Sequence, residues 1–128
     1  MTALQKLMGL AGAGALGALA RYGLGGAVQR LSGASAFPWG TLAVNALGCF
    51  LFGVVWSLAE ERMLMSPEAR VIALVGFLGA FTTFSSFAFE TVQFVRDSQW
   101  AFAAANILAQ NILGVAAVFA GMAAGRAL

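Results

Sequence analysis

Gly76-Phe77-Leu78-Gly79-Ala80-Phe81-Thr82-Thr83-Phe84-Ser85-Ser86-Phe87 is the stretch on which the reading of this chain turns. It sits inside an uncharged interval bounded by Arg70 and Glu90. Two longer uncharged intervals lie on either side, one between Arg30 and Glu60 and one between Asp97 and Arg126. All three approach or exceed the roughly 20 residues that cross a bilayer as a helix. Composition agrees: 61% of residues are hydrophobic and 9% charged, with a mean hydropathy of +0.88. A soluble domain carries about 25% charged residues, so this chain lacks the means to cover a water-facing surface. It reads as an all-α integral membrane protein, and its 128 residues leave room for one domain.

Working outward, the hydropathy and punctuation predict four transmembrane helices in a single transmembrane domain, 1–128. The spans are about 3–29, 38–59, 67–95 and 99–124. Pro38 suits a first helical turn and Trp39 a membrane interface. Ser66-Pro67-Glu68 is a helix-start signal at the end of the longest hydrophilic loop, Glu60 to Arg70.

Within the third span, two glycines adjoin the hydroxyl cluster Thr82, Thr83, Ser85 and Ser86. Ser and Thr can satisfy backbone groups freed by a helix break when protein or water shields them, and broken helices mark ion sites in transporters. The third helix is therefore expected to be broken near mid-membrane, around Gly79 to Thr82. The alternative is an unbroken helix whose hydroxyls bond back to the preceding turn.

Several functions are excluded or disfavoured by residue types alone. The seven basic residues are scattered without a patch, so the net charge of +2 points to no nucleic-acid partner. With no His and a single Cys, Cys49, a transition-metal site built by this chain is not expected. Gly12-x-Gly14-x-x-Gly17 has the dinucleotide-binding spacing but lies inside a span with no preceding strand. No nucleophile–base pair can be assembled without His, so the chain is not read as an enzyme. A cleavable leader ending near Ala18-Leu19-Ala20 is a further reading, which would leave three spans.

Small residues share helix faces: Gly14, Gly17 and Gly25 with Arg21 on the first helix, and Gly114, Ala117 and Gly121 with Asn106 and Gln110 on the fourth. Such faces let backbones approach where lipid supplies no hydrophobic force between helices. If the termini share a side, Lys6, Arg62, Arg70 and Arg126 lie there against Arg30 and Arg96 opposite, a weak bias. A weakly biased chain can insert both ways, which predicts a dual-topology, antiparallel homodimer.

Polar groups in spans are functional hypotheses by default. Arg21 is a fixed cation, suited either to an anion stripped of water or to snorkelling at the interface. Asn45 shares a face with Thr41 and Gly48; its amide offers two donors, for an anion or for an interhelical bond. Phe77, Phe81, Phe84 and Phe87 recur at helical spacing, either as an apolar stripe or as electropositive ring edges facing an anion.

Three segments together resemble the Fluc (CrcB-type) fluoride channel family: Gly14-Ala-Leu-Gly-Ala-Leu-Ala-Arg21-Tyr22, Gly40-Thr-Leu-Ala-Val-Asn45-Ala-Leu-Gly48, and the Gly76–Phe87 stretch. The resemblance implies an antiparallel homodimer whose two narrow pores conduct fluoride passively across the bacterial cytoplasmic (inner) membrane. Hydrogen fluoride enters as a neutral acid and dissociates, and the trapped anion leaves by the channel. It also implies that Asn45 is the pore asparagine, that Phe84 and Phe87 line the pores, and that Arg21 stands near the pore entrance. Ser85 and Thr41 would be pore-lining hydroxyls. The backbone carbonyls of Gly79 and Thr82 would hold a structural sodium ion on the dimer axis. Where the family carries a serine/threonine track on its fourth helix, this chain has the amides Asn106 and Gln110, to which no role is given, nor is one given to Glu90.

The rival reading is a small dual-topology proton-coupled exporter of the small-multidrug-resistance type. Such exporters resemble one another in a first-helix carboxylate, where this chain has Arg21. A non-transporting membrane assembly factor would need no aligned polar faces.

Overall fold

A computed structural model describes all 128 residues, and every regular element in it is helical. Helix α1 (Ala3–Leu31) begins with a reciprocal cap: Thr2 Oγ1 accepts from the Gln5 N–H at 3.2 Å, and Gln5 Oε1 accepts from the Thr2 N–H at 2.9 Å. Gln29, near its end, ties down the following loop. Its Nε2 donates to the Phe37 carbonyl at 3.1 Å, and its Oε1 accepts from the Gly40 N–H at 3.0 Å. That fixes where α2 (Trp39–Trp56) starts. A π-helical turn, Ser57–Glu61, prolongs α2.

Helix α3 runs over residues 67–81, capped by Ser66 Oγ on the Ala69 N–H at 3.1 Å and wound as a π-helix from Ile72 to Leu78. Gly79 is helical, with φ −62° and ψ −34°. The next two residues that depart from helix are Thr82 (φ −82°, ψ 158°) and Thr83 (φ −148°, ψ 109°). Helix α4 (Phe84–Arg96) restarts because Thr83 is an N-cap: its Oγ1 accepts from the Ser86 N–H at 3.1 Å. A turn through Ser98, in the left-handed region at φ 57°, leads into α5 (Trp100–Ala127).

Four helical stretches, Ala3–Leu31, Trp39–Glu61, Pro67–Arg96 and Trp100–Ala127, are long and apolar enough to cross a membrane. They begin within one residue of the expected spans and run one to three residues further at their C-terminal ends. The interior is small, centred on Val44, Leu74, Leu78 and Phe81, while Leu4, Leu16, Leu19, Val75, Ile112 and Phe119 point outward. This inside-out distribution suits a chain whose solvent is lipid.

Glycine sets how closely the helices cross. A methyl at Gly121 on α5 would overlap the Phe50 carbonyl of α2, and one at Gly53 on α2 would overlap the Val118 carbonyl of α5. The two backbones therefore touch directly. Below this crossing, Ser57 is fully buried and its Oγ donates to the Met122 carbonyl at 3.0 Å. Arg126 closes the same end on Glu61, with Nε to Oε2 at 2.7 Å and Nη2 to Oε1 at 3.0 Å. The α2–α5 pair is thus pinned along its length, and it carries Asn45 and Gln110 into the middle of the molecule.

Candidate functional site

The two extended residues after α3 define the site. In hydrocarbon, an unsatisfied backbone group costs several kcal/mol, so each freed group at Thr82 and Thr83 needs a partner. Asn45 of α2 supplies two at once. Its Oδ1 accepts from the Thr83 N–H at 2.8 Å, and its Nδ2 donates to the Thr83 carbonyl at 3.0 Å. The second Nδ2 proton goes to Gln110 Oε1 on α5, 3.1 Å away. Arg21 of α1 extends Nη1 towards the Thr82 carbonyl at 3.4 Å. Thr83 Oγ1 donates to Ser86 Oγ at 3.0 Å and lies 3.3 Å from Ser85 Oγ.

Gly48 makes this geometry possible. A side chain there would run into the Thr82 Cγ2 methyl and the Phe81 ring. Without glycine, α2 could not bring Asn45 within hydrogen-bond reach of Thr83, one helical turn earlier on the same face.

A cavity opens on each side of Thr83, which lines both. The first, about 360 Å³, is walled by Asn45, Thr82, Phe84, Phe87 and Gln110, together with Cys49 and Asn111, and no charged side chain lines it. Phe84 and Phe87 meet edge to face with centroids 5.4 Å apart, so the electropositive edge of one ring meets the face of the other. The second cavity, about 480 Å³, is lined by Arg21, Thr41, Ser86 and Glu90. There Thr41 Oγ1 donates to Glu90 Oε1 at 2.5 Å, while Glu90 Oε2 is buried without a partner. The two cavities therefore differ in kind: one is neutral and aromatic, the other holds both a cation and a carboxyl.

The phenylalanine stripe divides between core and cavity. Phe81 is only 3% exposed and stacks on Phe77 at 5.7 Å with an interplanar angle of 11°. Phe84, beyond the interruption, is 77% exposed. The change of direction at Thr82 and Thr83 is what separates them.

Comparison with known proteins places the chain. Residues 8–122 match the family model described as CrcB-like protein, Camphor Resistance (CrcB). The chain belongs to the CrcB family. It is 62% identical over 117 residues to a protein named fluoride-specific ion channel FluC from Nitrosococcus oceani, which covers 91% of this chain and 93% of that one. It is 54% identical over 123 residues to the protein of the same name from Solidesulfovibrio magneticus, covering 96% of this chain and 98% of the relative. The Geobacter sulfurreducens FluC is 45% identical over 125 residues, covering 98% and 100%. The CrcB chain is thus a multi-pass membrane protein and not an enzyme.

Of the residues singled out from this CrcB sequence, Asn45, Phe84, Phe87 and Thr82 share the first cavity, and Arg21 and Thr41 the second. Ser85 is exposed and stands outside both linings; its neighbour Ser86 lines the second. Gly79 lies one turn before the interruption, inside α3. Thr83, Ser86, Glu90 and Gln110 also line the cavities, though the sequence assigns them no pathway role. Their signal was their polarity inside a span, which does not by itself say which way a side chain points.

Proposed function

We propose that this CrcB chain is a fluoride-specific channel that exports the ion passively from the cytoplasm and so relieves its toxicity. The observation that carries this reading is the pair of cavities meeting at Thr83, lined by amides, hydroxyls, a guanidinium and the Phe84 and Phe87 rings, with a single carboxyl, Glu90, in the second. Fluoride gives up strong hydrogen bonds on leaving water, and a pathway must return them from its walls. The relatives named fluoride-specific ion channels, matched over nearly their whole length, support the same ion.

The working unit in this reading is an antiparallel homodimer in the bacterial cytoplasmic membrane. The 77% exposure of Phe84 supports a second copy covering the first cavity, and the weak charge bias supports insertion in both orientations. The Thr82–Thr83 interruption then lies near mid-bilayer. Asn45, Phe84 and Phe87 in the first cavity and Thr41 and Arg21 in the second border the route, which Ser85, exposed and outside both linings, would join only where the second copy closes over it. Asn45 lines it while holding the interruption open, since its amide is engaged by Thr83 and Gln110.

The same reading includes a structural sodium held by the Gly79 and Thr82 carbonyls. The backbone chemistry fits. The N–H that a continuous helix would direct to the Gly79 carbonyl is that of Thr83, and it is turned to Asn45 instead. The Thr82 carbonyl has one long contact, Arg21 Nη1 at 3.4 Å. Hard carbonyl oxygens suit a hard cation, and two copies about a two-fold axis would bring four together. When bound, the ion would neutralise carbonyl dipoles in hydrocarbon and need take no part in conduction.

The test is fluoride efflux from liposomes containing the purified full-length chain and loaded with fluoride. Passive efflux that follows the fluoride gradient alone supports the channel. Absence of fluoride efflux, with proton-coupled movement of a hydrophobic cation, would replace it with the small-multidrug-resistance reading.

A further inference from the structure

The first cavity contains one amide whose donors remain free, and its orientation follows from the backbone. Thr83 N–H can only donate and Thr83 C=O can only accept. Asn45 must therefore present Oδ1 to the first and Nδ2 to the second, at 2.8 and 3.0 Å, with no freedom to be flipped. The remaining Nδ2 proton faces Gln110 3.1 Å away, so Gln110 must meet it with Oε1. The polarity set at Thr83 thus passes through Asn45 to Gln110 and leaves the Gln110 NH₂ group unanswered. Gln110 Nε2 is buried and has no hydrogen-bond partner, although buried amides in proteins are almost always paired.

No other buried amide of the cavity has a free donor, Asn111 being exposed. Both Asn45 protons are taken, and Asn111 donates from Nδ2 to the Ile107 carbonyl at 2.7 Å. No carboxylate lines the cavity to compete for the free donors.

We propose that Gln110 is an ion-binding residue of the Phe84–Phe87 cavity, its Nε2 protons donating to the dehydrated fluoride while Asn45 holds its carbonyl end. This rests on the fluoride-channel reading above. It gives the two amides different tasks: Asn45 positions, and Gln110 binds. A small anion is favoured over a cation because the unpaired group is a donor, whereas the Gln110 oxygen already accepts from Asn45.

The experiment uses the full-length chain in two formats. In fluoride-loaded liposomes, Gln110→Glu keeps the size and an oxygen for Asn45 but removes the NH₂ donors, and Gln110→Met removes both polar ends. Each is expected to slow efflux at least tenfold. In detergent, the wild-type chain labelled with ¹⁵N-glutamine is titrated with sodium fluoride and separately with sodium chloride. The Gln110 side-chain amide resonance, identified by its loss in Gln110→Asn, is expected to shift with fluoride and stay in place with chloride. The titration needs no folded variant beyond that used for identification. Wild-type efflux rates in both substitutions, or a resonance that fluoride does not move, would overturn the proposal while leaving the channel reading intact. Failure of the wild-type chain itself to pass fluoride would remove the reading on which it stands.

Discussion

Asn45 and Thr83, 38 residues apart in sequence, exchange two hydrogen bonds of 2.8 and 3.0 Å, so a side-chain amide on α2 stands in for the peptide partner missing where α3 ends. This pairing ranks substitutions that sequence alone would treat alike. Asn45→Ala strands the Thr83 N–H and carbonyl and also Gln110 Oε1, at about 1–3 kcal/mol for each buried group. Thr83→Ala keeps both backbone bonds and loses a cap, about 0.5–2 kcal/mol. Asn45→Ala should therefore lower the detergent melting temperature more than Thr83→Ala. The reverse order would show that the pairing does not hold the interruption.

Asn45→Asp is harsher for conduction. It replaces Nδ2 by an oxygen that faces the Thr83 carbonyl and Gln110 Oε1, and it adds negative charge on an anion route. Liposome efflux should fall at least tenfold, and an Asp variant that is folded and passes fluoride at the normal rate would remove Asn45 from the route.

The phenylalanines should separate into two classes. Phe81→Ile alters the packed core at a site 3% exposed and should cost about 1–3 kcal/mol of stability. Phe84→Ile, at a site 77% exposed, should leave stability of the protomer nearly unchanged yet slow efflux. Phe87→Ile should follow Phe84→Ile. Parallel losses of folding and flux at all of these sites would return the stripe to a purely packing role.

Gly121→Ala pushes a methyl into the Phe50 carbonyl and should cost about 1–3 kcal/mol, read as a lower melting temperature and lower yield. Gly12→Ala is the internal control: nothing lies within 4 Å of the added methyl, so folding and efflux should match the parent. A large effect at Gly12 would point to a contact made by a second copy on the exposed face of α1.

The proposed antiparallel dimer and its proposed sodium have their own tests. Cysteines placed in the loop near Met63 should be labelled from both sides of the membrane, and one-sided labelling would exclude the antiparallel arrangement. Replacing sodium with N-methylglucamine should speed dimer dissociation in detergent without making efflux depend on the sodium gradient. Equal dissociation in both media would remove the structural ion.

What the sequence determined by itself was the solvent and the span pattern. Uncharged intervals of about a bilayer's span put Trp39–Glu61, Pro67–Arg96 and Trp100–Ala127 into lipid, and continuous apolarity does the same for Ala3–Leu31 despite Arg21; both are local properties of the chain, so all four spans are legible within a few residues. The cap at Ser66 belongs to the same class, because a hydroxyl and the N–H three residues on are always neighbours at a helix start; the matching cap at Thr83 follows from where the third helix breaks. The partners of the polar side chains were decided only by tertiary structure. Sequence shows that Asn45 has two donors; that they go to Thr83 and Gln110 depends on Gly48 admitting Thr82 and on Gly53 and Gly121 letting α2 and α5 touch. In the same way, four phenylalanines at helical spacing form one stripe on paper, and two extended threonines turn them into a core pair and a cavity pair. Hydrogen bonds reach about 3 Å, so a crossing that shifts a helix by a single side chain reassigns every partner, and no local pattern in the chain encodes that distance.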